Sequence, residues 1–188
     1  MGNGSQPISG IQMVLDQIRP SFEYNLTFVS KFLGGDGLDA GCGNCPLLRE
    51  NCIHVDASPQ PITLEQIDPR YFVQGDATKY VPSIMLDYVF SSHMVEDLPT
   101  REAMIECLLH WKKYLRPEGL IVLLIPDMQG GRYPSIKEDC GNPSHRIDVG
   151  LRFFSDLAED LPGLKIIQID TIPHEISCTM DVVFEMTE

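Results

Sequence analysis

Apolar positions recur at helical spacing near the start of the chain: Ile8, Ile11, Val14, Leu15 and Ile18, then Phe22, Leu26, Val29, Phe32 and Leu33. Pro20 falls between the two sets and Gly34-Gly35 closes the second, so two helical segments are predicted, over 8–18 and 22–33. The pattern then changes to short apolar runs bounded by turn residues. Strands are predicted at 37–41 (GLDAG), 52–58 (CIHVDAS), 71–77 (YFVQGDA), 85–92 (MLDYVFSS), 120–126 (LIVLLIP), 164–170 (LKIIQID) and 178–186 (CTMDVVFEM). Amphipathic helices are predicted from Thr100 to Leu115, with Met104, Ile105, Leu108, Leu109 and Trp111 near one face, and over about 151–161.

Strands alternating with helices, and a fifth run that is apolar throughout, indicate an α/β fold. The expected architecture is a three-layer sandwich around a mostly parallel, seven-stranded sheet. Residues 171–177 are too few for a parallel crossover, so the last two strands are predicted to pair as an antiparallel edge hairpin.

Chemistry concentrates where the first strands end. In Leu38-Asp39-Ala40-Gly41-Cys42-Gly43-Asn44-Cys45, glycines follow a buried strand, letting the backbone turn sharply and approach a ligand. Asp56 ends the second strand, where a carboxylate can accept hydrogen bonds from ribose hydroxyls. Asp76 follows the third, in reach of a purine amino group. In this order, LDAGCGN, HVDAS, QGDA, SSHMVEDLP (91–99) and YLRPEGLIVLLIPD (114–127) resemble five motifs of class I S-adenosylmethionine-dependent methyltransferases. The match spans about residues 37 to 127.

That resemblance implies a Rossmann-like methyltransferase fold, S-adenosyl-L-methionine as cofactor and methyl transfer as activity. Asp39, Gly41, Cys42, Gly43, Asp56, Ala57, Asp76, Ala77, Ser91 and Ser92 are the implied cofactor-binding residues, with Asp39 read as holding the glycine loop. His93, at the end of the fourth strand, is the candidate general base, because its ordinary pKa lies near neutrality. Residues 127–150 form a long polar loop on the expected acceptor side, where Arg132, Tyr133, His145 and Arg146 are candidate substrate contacts and the two arginines suit a carboxylate or phosphate. One domain is expected over 1–188: an N-terminal helical segment (1–34), a cofactor-binding core (35–126), the acceptor-side loop (127–150), and a C-terminal helix with the edge hairpin (151–188).

Two departures from the family pattern stand out. Cys45 occupies the position of the third motif glycine, narrowing the space beside the methionine portion of the cofactor. Gly41 and Asp56 are only 15 residues apart, against roughly 20 for a crossover containing a full helix. A helix of one or two turns is therefore predicted near Pro46 to Glu50. Such short crossovers resemble those of bacterial and phage methyltransferases linked to sugar or surface-polymer pathways.

Charge narrows the partners. With 14 Lys and Arg against 27 Asp and Glu, the net charge of −13 repels phosphate backbones, and no dense basic run offsets it. Nucleic acid is thus not an expected partner; a small-molecule or glycan-type acceptor is, and a homo-oligomer stays open. No apolar run reaches the roughly 18–20 residues that cross a bilayer, and the first residues have neither the basic start nor the apolar centre of a signal peptide. The expected compartment is the cytoplasm, which would leave the Asn25-Leu26-Thr27 sequon unused and the six cysteines reduced. Cys42 and Cys45 have the two-residue spacing of zinc and redox motifs, with Cys52 and His54 near, but one pair without a second falls short, and no metal is expected. A non-catalytic cofactor-binding module of the same fold is the alternative function. An NAD-linked enzyme is a weaker third.

Overall fold

The computed structural model describes residues 10–58, 65–138, 142–173 and 177–187, with side chains described from residue 19 onward and not at 138. Seven strands form one sheet: β1 (Gly37–Ala40), β2 (Cys52–Asp56), β3 (Phe72–Gln74), β4 (Leu86–Ser92), β5 (Leu115–Pro126), β6 (Leu164–Thr171) and β7 (Thr179–Met186). Their spatial order is β3-β2-β1-β4-β5-β7-β6. The first five run parallel, whereas β7 is antiparallel to both β5 and β6. The expected edge hairpin is therefore present, with β7 slotted between β5 and β6.

Alternation along the strands sorts the core into two layers. Ile121, Leu123 and Ile125 of β5 pack with Val89, Val182 and Phe184 beneath α2 (Arg101–Lys112) and α3 (Leu151–Ala158), which contribute Met104, Leu108, Trp111, Phe154 and Leu157. On the opposite face Val122 and Leu124 join Tyr88, Phe90 and Val183 beneath Phe22 and Val29 of α1 (Gly10–Val29). Thr100 caps α2 by accepting a hydrogen bond from the Ala103 N–H at 3.2 Å.

Three local expectations need correction. Pro20 does not divide two helices: α1 runs through it and ends in a 3-10 turn at Ser30–Phe32. Pro20 lies on an exposed side of the helix, where the hydrogen bond it cannot donate costs least. No helix forms between β1 and β2. Instead Asp39 Oδ2 accepts the Leu47 N–H at 2.7 Å and Leu47 is buried beneath α1, drawing the segment onto the sheet as irregular chain. Finally, β5 begins at Leu115, not Leu120: Leu115 pairs with Leu86 and Leu120 with Tyr88, so residues 116–119 bulge outward between two paired stretches.

Candidate functional site

The parallel strands β1, β2, β3 and β4 all end on the same edge of the sheet, and the glycine loop follows β1 there. Gly41 adopts φ +74°, and a Cβ at that position would sit 2.7 Å from Met94 Cγ. Glycine is thus required both for the turn and for the close passage of the post-β4 segment. Gly43 adopts φ +48° with nothing nearer to a would-be Cβ than the Gly41 carbonyl at 3.9 Å, leaving open room above the loop.

Asp56 reaches across to this loop. Its Oδ2 accepts the Gly43 N–H at 2.9 Å and its Oδ1 the Ser58 N–H at 2.7 Å. Asp39 lies below, 1% exposed, with Oδ2 accepting from Leu47 and lying 3.1 Å from His54 Nδ1. Burial pushes the Asp39 carboxyl above the usual range, opposed by the contact with His54. Asp39 therefore anchors the segment after the glycine loop at Leu47, and His54 is its buried partner on the neighbouring strand.

Asp76 is exposed beyond β3. It accepts from Thr78 N and Oγ1 at 3.0 and 2.6 Å and pairs with Lys79 at 3.1 Å, and the Thr78 hydrogen bond leads in lowering its pKa. Ala77 is buried, and its carbonyl accepts from Trp111 Nε1 at 2.9 Å, tying this loop to α2. Ala57 is exposed, next to Asp56. Ser91 is buried, and its hydroxyl donates to the Ala40 carbonyl at 2.9 Å, locking the end of β4 to the end of β1; Ser92 beside it is half-buried.

His93 turns out of β4 with φ +52°, uncommon for a residue with a side chain, and its imidazole is 41% exposed. Nδ1 lies 3.4 Å from Glu96 Oε1, and Nε2 lies 3.4 Å from Thr179 Oγ1. Thr179 Oγ1 in turn accepts from Asn25 Nδ2 at 3.1 Å, and Asn25 Oδ1 accepts from Ser177 at 2.9 Å. The sequon asparagine is thus a buried link between α1 and the edge hairpin, closed to glycosylation in the folded chain.

The four acceptor-side residues separate. Arg132 is spent on main-chain carbonyls, those of Ile172 at 2.8 Å and Ser177 at 2.6 Å. Tyr133 packs on His145, ring centroids 5.2 Å apart. His145 is buried, with Nε2 2.7 Å from Asn142 Nδ2 and 3.7 Å from Glu96 Oε1. Arg146 is exposed, although its N–H is fixed on the Glu96 carbonyl at 2.9 Å.

Cys42, Cys45, Cys52, Cys107 and Cys178 are free, while Cys140 lies outside the described residues. Burial pushes the Cys42, Cys45 and Cys52 thiols upward, so none is a ready nucleophile. Cys45 packs against the core layer beneath α1. A cavity of about 500 Å³ over β2, lined by Leu48, Cys52, His54, Gln66 and Tyr71 among others, includes none of the strand-end residues above.

Sequence reasoning missed Glu96 as a site residue. It is wholly buried in a 3-10 turn (Val95–Asp97) inside the SSHMVEDLP motif. A carboxylate flanked by Val95 and Leu98 was the available signal.

Known proteins agree with this arrangement. Residues 38–123 match the family model described as a methyltransferase domain. The chain has the fold of S-adenosylmethionine-dependent methyltransferases. The matched stretch contains the glycine loop, Asp56, Asp76 and His93. Among solved structures, the N-methyltransferase NodS from Bradyrhizobium japonicum WM9, in complex with S-adenosyl-L-homocysteine, superposes with TM-score 0.62 at 13% identity, covering 96% of this chain and 94% of that one. The plantazolicin methyltransferase BpumL, also complexed with S-adenosylhomocysteine, gives 0.66 at 16%, covering 95% and 89%. Magnesium protoporphyrin IX methyltransferase from Synechocystis PCC 6803, with bound S-adenosylmethionine, gives 0.62 at 13%, covering 98% and 87%. At such identities these likenesses speak to the fold. No protein of curated function matches the sequence. No helix among the described residues is long and apolar enough to cross a membrane.

S-adenosyl-L-methionine is the cofactor that the sequence motifs imply. The residues present suit it: a side-chain-free cradle at Gly43, a half-exposed carboxylate at Asp56, and open space around Gly75 ahead of Asp76.

Proposed function

We propose that the chain is an S-adenosylmethionine-dependent methyltransferase acting on a small-molecule or glycan-type acceptor at the end of β4, with the cofactor held between the glycine loop, Asp56 and Asp76. The observation carrying this reading is the Gly43–Asp56 hydrogen bond beside an open cradle, one strand away from an exposed imidazole. Bound there, the cofactor supplies an electrophilic methyl group on a sulfonium.

The chain's own residues then do the rest. Gly41 and Gly43 let main-chain N–H groups approach the ligand, and Asp56 meets the ribose hydroxyls with the lone pairs not used by Gly43 and Ser58. Asp76 with Ala57 and Ala77 frames the adenine, and Ser92 borders the methionine portion, with Cys42 in the loop below. His93 takes the acceptor's proton at Nε2 as the acceptor attacks. Arg146 is the exposed cation available to an acidic acceptor, with Tyr133 and His145 shaping that side. Arg132 belongs to the hairpin and supports the wall from behind. The solved relatives include methyltransferases named for plantazolicin and for magnesium protoporphyrin IX, and the net charge of −13 disfavours polyanions.

The test is calorimetric titration with S-adenosylhomocysteine. Asp56→Ala should weaken binding about tenfold or more, as expected when a charged hydrogen-bonding partner is lost; equal affinity in the folded variant would remove Asp56 from the site. In an acceptor screen, His93→Ala should lower kcat by roughly 10²-fold with little change in cofactor affinity. An unchanged kcat would leave His93 a bystander.

A further inference from the structure

Directly behind His93 lies a cluster whose two carboxylates, Glu96 and Asp97, have no role in the methyl transfer proposed above. Glu96 is fully buried, and neither of its carboxylate oxygens has a hydrogen-bond partner. The buried Oδ1 of Asp97 is likewise without one. His145, its side chain 1% exposed, places Nε2 3.7 Å from Glu96 Oε1. One ligand atom from each of Glu96, Asp97 and His145 falls within a sphere where all are within 4.8 Å of one another. We propose that Glu96, Asp97 and His145 form a site for a divalent transition-metal ion of the zinc or manganese kind.

Three buried carboxylate oxygens without donors are costly in a low-dielectric interior, and a cation is what settles all three together. One imidazole and two carboxylates are a donor set suited to zinc or manganese. Metal–ligand distances of about 2.0–2.2 Å put neighbouring ligand atoms roughly 3.3–3.6 Å apart in a tetrahedral site, so the Glu96–His145 spacing needs little change. Ligation by Nε2 displaces the Asn142 amide nitrogen, while Asn142 Oδ1 keeps its bonds to Ser144 at 3.1 and 2.7 Å. The backbone is already braced, because the Arg146 and Ile147 N–H groups both donate to the Glu96 carbonyl, at 2.9 and 3.3 Å. The ion clasps the acceptor-side loop to the end of β4, with the exposed His93 at its border.

The second cluster of metal-ligating type, Asp39, Cys42 and His54, carries no such demand. Its carboxylate already meets Leu47 and His54, and its thiol is held protonated by burial.

The experiment uses the full chain after chelator treatment, titrated separately with Zn²⁺ and Mn²⁺ by calorimetry and followed by thermal melting. One ion per chain and a Tm that rises with metal concentration are expected. Glu96→Gln and Asp97→Asn should each weaken binding about tenfold or more, and Cys42→Ser should leave it unchanged. Circular dichroism of each metal-free variant shows whether it is folded, and either of the two carboxylate variants alone suffices. No binding of either ion by the wild-type chain overturns the proposal, as does binding that survives both carboxylate substitutions or disappears with Cys42→Ser.

Discussion

The ends of β1 and β4 both carry a buried carboxylate beside a histidine, yet the two are finished differently. At β1, Asp39 meets the Leu47 N–H and His54, while Asp56 meets Gly43 and Ser58. At β4, Glu96 approaches His93 and His145 at 3.4 and 3.7 Å without a hydrogen bond, and both its oxygens go unmet. The cofactor end is therefore a frame completed by the chain itself. The acceptor end is completed only by something that binds.

The comparison breaks most visibly at Asp39. Alanine there strands a buried N–H and a buried imidazole together, and the expected loss is about 3 kcal/mol of stability, each unsatisfied group costing about 1–3 kcal/mol. Urea denaturation measures it, and a loss below about 1 kcal/mol would mean that Asp39 does not hold the loop. Gly41→Ala comes next. It combines a Cβ 2.7 Å from Met94 Cγ with φ +74°, for an expected cost of about 2 kcal/mol. Weaker S-adenosylhomocysteine binding should accompany it, because the loop cannot turn as sharply. Ser91→Ala is milder: it frees one acceptor, the Ala40 carbonyl, and should cost about 1 kcal/mol. A neutral result would show that the strand ends are held by the ladder alone.

How far the sequence discloses each end follows from the same physics. The glycine turn, the strand-end acids, the parallel order and the edge hairpin were all legible, because buried strands leave apolar runs and tight turns leave glycines. The missing helix between β1 and β2 was not, since the bond that replaces it joins Asp39 to Leu47 across the turn, a contact that periodicity does not encode. Arg132 read as a ligand-binding cation but is consumed by carbonyls of residues 40 and 45 positions onward. Glu96 does not stand out in the sequence, because its neighbours His93 and Asp97 are polar too; only the packing of Val95 and the loop bearing His145 reveals it as buried.

The smallest expected effect is the most discriminating. Asp97→Asn, made in the chelator-treated protein, keeps the side chain's size and one of its acceptor oxygens. It removes a negative charge beside Glu96 and introduces an N–H that a Glu96 oxygen can accept. Stability should then change by less than about 0.5 kcal/mol in either direction, as for a substitution that breaks no existing bond. At the cofactor end the loss of a carboxylate is expected to cost several times more. A loss above about 1 kcal/mol for Asp97→Asn would mean that its charge is already paired in the metal-free chain, and the contrast between the two ends would collapse. A near-neutral result leaves the acceptor end as a set of buried oxygens that the fold alone gains nothing from, which is the signature of residues placed there for a ligand.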